Sequence, residues 1–349
     1  MLKFPAPLIP GDLIAVPAPS SGVTGDSVAR LDLAIAHLRS RGYRVIEGGN
    51  VRSQHKDASA TAARRAEELQ QFLLDPEVAA IIPPWGGELA SEILDLIDFQ
   101  RLQQARPKWI LGYSDISTLL LPITLLTGWA SAHGTNLMEM TPGNTDPLAA
   151  GALAILETPP GTPIIQHASS RHQTHWQNFA ANPQAGFNLT EPTAWKRLDG
   201  STAPLHLRGR LIGGCLDTLA SLAGTAFGNL PAFIEAHARD GVILYLENAE
   251  LSPPALLRTL LSLRRQGWFT GLAGLMFGRS AAPDSESAKP LSQVEALQRV
   301  CATLPCPVLY DMDIGHQPPQ LTLINGALAE VCFTEGAGTL TLALTTAGS

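Results

Sequence analysis

The chain has 349 residues, 45% of them hydrophobic and 16% charged, which is enough for a sizeable core and for two domains, because a single core rarely grows beyond ~250–300 residues. A net charge of −7, with no Lys/Arg block to reverse it locally, argues against nucleic acid or an anionic membrane as a partner. The longest apolar run, residues 116–127, is broken by Ser117, Thr118 and Pro122 and falls short of the ~20 residues of a membrane span. Residues 1–5 open no apolar signal-peptide core, so a cytoplasmic protein is expected.

Along the first 135 residues strand and helix signals alternate. Residues 13–16 form a short apolar run. Val28, Leu31, Ala34, Ile35 and Leu38 then recur at helical spacing until Gly42. Val45 and Ile46 suggest a second strand, residues 60–74 a helix, 78–82 a buried strand, 89–97 a helix, and 109–113 another strand before the apolar run 116–127. This alternation predicts a doubly wound parallel sheet, with its functional loops at the carboxyl ends of the strands. Residues 1–140 are expected to form that N-terminal α/β domain. Between Thr141 and Pro204 the pattern gives way to Pro, Gly, Thr and Asn, which reads as a linker with an embedded surface insertion. Residues 205–349 read as a C-terminal mixed α/β domain, with strands at 210–214, 242–246, 274–278, 308–310 and 321–323. A helix carries Ala255, Leu256, Leu260 and Leu263, and a closing hairpin turns around Glu335 and Gly336.

Polar residues at strand ends carry the chemical signal. Ser114 lies where the strand 109–113 turns into a helix, in Gly112-Tyr113-Ser114-Asp115. A hydroxyl lifted out there faces the unpaired first N–H groups of the helix, the setting of a nucleophilic serine. The full Gly-x-Ser-x-Gly pattern is missing, because Ile116 replaces the last glycine, so Ser114 and Asp115 also read as a plain helix cap. Trp85-Gly86-Gly87-Glu88 after a buried strand has neither a Gly-x-Gly-x-x-Gly pattern nor a Walker lysine. It is either a tight turn or a close backbone approach supplying an oxyanion hole. Glu247 ends the apolar strand 241–246, as a solvated carboxylate or one with an assigned partner, and His316 is expected to end another strand, in Asp313-Ile314-Gly315-His316-Gln317-Pro318. Ser114, Glu247 and His316 together supply nucleophile, orienting acid and base, with His133 as the alternative base. The four cysteines, Cys215, Cys301, Cys306 and Cys332, form no Cys-x-x-Cys, lie in apolar surroundings and read as buried free thiols. His172 and His175 have no evident third ligand, so no metal and no cofactor is expected.

These residues resemble the LD-carboxypeptidase family of serine peptidases, which also contains the microcin C immunity proteins. The resemblance runs through Pro10-Gly11-Asp12, Gly86-Gly87, Glu92-Ile93-Leu94, Gly112 to Ile116, His133-Gly134, Gly213-Gly214, Gly224-Thr225, the strand ending in Glu247, Gly315-His316 and Asn325-Gly326-Ala327. It implies Ser114 as nucleophile, Glu247 as orienting acid and His316 as base, at a cleft between two domains. It also implies a homodimer and a small-peptide or peptidyl-nucleotide substrate. The oxyanion hole then falls on Gly87 and Asp115, and substrate binding on Trp85, Gly86 and Trp176, the last being either a ligand platform or a loop anchor. The chain departs from the family at Trp85 to Glu88, where many members carry Arg-Gly-Gly-Tyr-Gly. It departs again at Cys215, where they carry Asn after the Gly-Gly pair. The implied reaction is amide hydrolysis of a murein peptide; the alternatives are hydrolysis of aminoacyl nucleotides and a non-enzymatic ligand-binding protein in which Ser114 only caps its helix.

Overall fold

Short apolar runs flanked by Gly and Pro become parallel strands, because a strand covered on both faces needs no polar alternation. The computed structural model describes residues 1–283 and 290–345. Its first half comprises β1 (Leu13–Val16), α1 (Val28–Ser40), β2 (Arg44–Glu47), α2 (Ala62–Leu74), β3 (Val78–Ile81), α3 (Phe99–Gln104), β4 (Trp109–Gly112), α4 (Ser117–Pro122) and β5 (Ser131–His133). The five strands are parallel in the order β5-β4-β3-β1-β2. The predicted helix 89–97 is instead a run of 3₁₀ turns, Ala90–Leu96.

The segment after residue 140 is more regular than its composition suggests. It contains α5 (Pro147–Leu156), β6 (Ile164–His167), β7 (Arg171–His172), β8 (Glu191–Pro192) and β9 (Lys196–Arg197). The α5 helix starts where the Asp146 carboxylate accepts from Leu148 N at 2.9 Å and Pro147 takes the first helical position. Then come β10 (Leu205–Cys215), α6 (Leu216–Leu219), α7 (Leu230–Ala236), β11 (Val242–Glu247), α8 (Pro253–Arg265), β12 (Gly274–Gly278), α9 (Gln293–Cys301), β13 (Val308–Met312), β14 (Leu323–Asn325), β15 (Leu328–Thr334) and β16 (Ala337–Ala343). Most of the strands join a mixed eight-stranded sheet, β6-β16-β15-β10-β11-β12-β13-β9, so β6 and β9 form its two edges. All six residues of β11 are buried.

One strand crosses over. β14 leaves the second half and adds to the six-stranded sheet, antiparallel to β5, with Leu323 opposite His133. Alternate residues of each strand feed two apolar clusters: Ala15 packs with Leu69 and Leu73 of α2, Ile14 and Val16 with Leu31, Ile35 and Leu38 of α1. Both clusters continue into the larger sheet, through Val242, Leu244 and Leu246 on one side and Ile243 and Tyr245 on the other. The two halves therefore share their cores, and the loops at the ends of β4, β11 and β13 are held in fixed register.

Candidate active site

Ser114 occupies a sharp turn at the end of β4 with φ of +63°, a left-handed conformation that strains a residue bearing a Cβ by ~1–3 kcal/mol. The turn is tied down from three sides. Asn136 Oδ1 accepts from Tyr113 N at 3.1 Å. The buried Asp115 carboxylate accepts from Ser20 Oγ (2.5 Å), Ala90 N (2.8 Å) and Thr118 Oγ1 (3.0 Å). Neither side chain caps α4: Asp115 anchors the loops after β1 and β3, and the Ser114 hydroxyl turns to a histidine. Burial raises the Asp115 pKa, opposed by the bonds from Ser20, Ala90 and Thr118.

Glu247 and His316 meet that hydroxyl. His316 Nε2 lies 2.9 Å from Ser114 Oγ, and His316 Nδ1 lies 2.9 Å from Glu247 Oε2. Glu247 is the last residue of β11 and is fully buried. His316 does not end a strand as the sequence suggests; it stands in a loop four residues beyond β13. Gly315 lets this loop pass over the acid, since a Cβ there would sit 2.3 Å from Glu247 Oε2. Burial disfavours both charged forms, yet the pair outweighs it. Burial alone would raise Glu247, but His316 holds its carboxyl below the usual range; burial alone would lower His316, but Glu247 raises its imidazole. Tyr113 packs edge-on against the His316 ring at 4.9 Å.

His133 is brought close but not into the chain of hydrogen bonds. It is fully buried between Tyr113 and Tyr245, neither ring nitrogen bonds another side chain among the described residues, and burial depresses its pKa to about 4.

The cavity above Ser114 has a volume of about 730 Å³ and is lined by Trp85, Gly86, Gly87, Trp176 and His316 among others. Gly86 faces the serine: a Cβ there would fall 2.8 Å from Asp115 N and 3.0 Å from Ser114 Oγ. Gly87, at φ +143°, faces Ser20 and Ser21. Trp176 stands at the rim, 44% exposed, edge-on to Phe179 and Phe187. Its loop is anchored by the buried Arg30, which stacks 3.5 Å from the Phe179 ring centroid and donates to Pro183 O and Ala185 O, each at 2.9 Å. Cys215 places its Sγ near the acid and base, so that Cys215, Glu247 and His316 offer three atoms within 4.8 Å of one another. Burial, then Glu247 and Asp217, hold the Cys215 thiol well above its usual pKa. Cys301 and Cys306 are buried like Cys215, whereas Cys332 is exposed, contrary to the expectation of four buried thiols, because it lies at an outward-facing position of β15.

Two buried groups of the site escaped the sequence. Glu139 accepts from Tyr113 Oη at 2.6 Å, and burial raises its pKa to about 7. Arg279, 3% exposed, bonds Asp313 Oδ1 and the backbone of the His316 loop. The signal for Glu139 was its spacing in Asn136-x-x-Glu139, a capping box that closes in the structure. For Arg279 there was only its place at the end of a buried strand.

The chain matches the LD-carboxypeptidase N-terminal domain over residues 14–134 and the LD-carboxypeptidase C-terminal domain over residues 208–331. It is 30% identical to a putative carboxypeptidase of Streptomyces coelicolor, over 98% of this chain and 96% of that one. It is 26% identical to the murein tetrapeptide carboxypeptidase of Pseudomonas aeruginosa, over 87% of each chain. With the microcin C7 self-immunity protein MccF of Escherichia coli it shares 25% identity over 94% of this chain and 92% of that one. The fold is also that of MccF, whose wild-type apo structure superposes with a TM-score of 0.82 at 22% identity, covering 99% of this chain and 100% of that one. Its two matched domains and its similarity over nearly its whole length to named carboxypeptidases agree with the resemblance read from the sequence: the chain belongs to the LD-carboxypeptidase family.

Proposed function

We propose that the protein is a serine carboxypeptidase that cleaves an amide bond of a small murein-type peptide through an acyl-enzyme. The unbroken run of 2.9 Å contacts from Glu247 through His316 to a strained Ser114 carries the reading. Neutral His316 takes the Ser114 proton through Nε2 while Oγ attacks the carbonyl. Glu247 accepts from Nδ1–H, fixes the tautomer and stabilises the imidazolium. The tetrahedral oxyanion is held by Asp115 N–H and the Gly86-Gly87 turn, where the missing side chain of Gly86 leaves room beside Ser114 Oγ. His316 then protonates the leaving amine, and water, deprotonated by the same imidazole, releases the acyl group. With Ser114 at the end of a strand of the six-stranded sheet, Glu247 ending β11 of the eight-stranded one and His316 in the loop after β13, catalysis takes place at the junction of an N-terminal nucleophile domain and a C-terminal acid–base domain. A cytoplasmic homodimer fits the resemblance.

A second substrate reading, an aminoacyl nucleotide, has one observation in its favour: the indole of Trp176 on the cavity rim, where a planar base could stack. Structures of MccF hold aspartyl sulfamoyl adenosine and glutamyl sulfamoyl guanosine. Kinetics on an L,D-tetrapeptide and on an aminoacyl-adenylate surrogate with a cleavable amide separate the two. Turnover of the tetrapeptide alone is the expected result. Preferential cleavage of the nucleotide conjugate would replace the murein reading by the second one, and no turnover of either would remove both.

A further inference from the structure

Every nitrogen of the Arg279 guanidinium is spent on the loop that carries His316. Nη1 donates to Asp313 Oδ1 at 2.8 Å; Nη2 donates to Gln317 O at 2.7 Å and Pro319 O at 2.9 Å; Nε reaches Gln317 O at 3.3 Å. The loop is thus gripped three residues before His316 and one and three residues after it. Asp313 has no exposed surface and is itself held by Trp195 Nε1 at 2.8 Å and by Ser169, whose backbone N and Oγ lie 3.0 Å and 2.5 Å from its carboxylate. Gln173 N adds a bond to Pro318 O at 2.9 Å. Ser169, Gln173 and Trp195 all come from the segment that also bears Trp176. The planar fork of an arginine is what this grip requires: Nη1 serves Asp313 while Nη2 serves both carbonyls, and the single nitrogen of a lysine could not occupy both positions at once.

We infer that Arg279, paired with Asp313, is a positioning residue for the base: it fixes the His316 ring between Ser114 and Glu247 and couples the Trp176-bearing segment to that ring. The inference rests on the reading of His316 as base. Displacing a catalytic group by ~1 Å costs on the order of 100-fold in rate, whereas the cavity wall that binds substrate contains neither Arg279 nor Asp313.

The test is Arg279→Lys, with Asp313→Asn as a second variant that keeps the shape of the side chain. Each is measured for kcat and KM on the substrate the wild type turns over, for the rate of Ser114 labelling by a fluorophosphonate, and for the proton resonance of the His316 Nδ1–H···Glu247 bond. Melting and circular dichroism select the folded variants. Expected are a kcat and a labelling rate each lower by about 100-fold, KM within about threefold of wild type, and loss or upfield shift of the Nδ1–H signal. A folded variant with wild-type kcat and an unshifted signal overturns the inference, as does a loss confined to KM. Failure of both variants to fold would also overturn it, since the pair would then be part of the core and not a positioning device. If the wild type itself takes no label at Ser114, the proposed mechanism fails and not the grip on the loop.

Discussion

Gly86→Ala tests the oxyanion site without touching a catalytic side chain. The new Cβ would stand 2.8 Å from Asp115 N, 2.9 Å from Ser114 Cβ and 3.0 Å from Ser114 Oγ, all closer than the ordinary contact of ~3.5–4 Å. Gly86 does not carry a positive φ, so the alanine adds bulk and no backbone strain. Relief requires the 85–88 turn or the Ser114 turn to shift by several tenths of an ångström, and either shift misaims the Asp115 N–H at the place where the oxyanion forms. Losing one such donor costs about 10²–10³ in kcat, or ~3–4 kcal/mol of transition-state stabilisation, while overpacking by one methyl costs ~1–3 kcal/mol in stability. Steady-state kinetics on the L,D-tetrapeptide, with melting as a control for folding, should therefore show a large fall in kcat in a protein that remains folded at 25 °C. A folded Gly86→Ala variant retaining kcat within about threefold would refute the placement of the oxyanion hole.

The remaining expectations concern the charges and the rim. Activity should rise with pH through an inflection above 6.5, as His316 loses its proton; in Glu247→Gln burial is opposed only by the weaker pull of Asp217 and Glu139, so the inflection should move below its wild-type position and the plateau rate fall by roughly 10⁴-fold, and an unmoved inflection would break the assigned coupling. Glu139 titrates near 4.5 when unfolded and at about 7 in the native protein, so its contribution to stability is greatest below pH 4.5 and declines until about pH 7. Glu139→Gln should accordingly raise stability by ~1–3 kcal/mol at pH 8 and by little at pH 4.5, and urea unfolding at the two pH values checks the sign. Trp176→Ala should leave tetrapeptide turnover nearly unchanged, whereas a loss of tenfold or more selective for a nucleotide conjugate would show the indole stacking on a base.

Much of the site could be read locally because each member interrupts or follows an apolar run. Ser114 after Trp109–Gly112 and Glu247 after 242–246 are polar residues at the ends of buried parallel strands, where side chains must either find partners or leave the core. His316 was legible as part of Gly315-His316, but its position in a loop depends on Arg279 and Asp313, contacts across 34 residues that no periodicity encodes. The crossing of β14 into the six-stranded sheet was hidden for a related reason: Leu323–Asn325 is an ordinary apolar triplet, and only packing decides which sheet it joins. In the stretch after residue 140, the Pro- and Thr-rich turns masked both edges of the larger sheet. The Asp146-Pro147 start of α5 was a readable cap that composition overshadowed.

Turnover by Ser114→Ala tests the central claim most directly. Its hydroxyl bonds His316 and supports no helix end, so its removal should leave the fold intact while lowering kcat on the tetrapeptide by on the order of 10⁵–10⁶-fold. A folded Ser114→Ala protein that hydrolyses the tetrapeptide within tenfold of the wild-type rate would contradict the account.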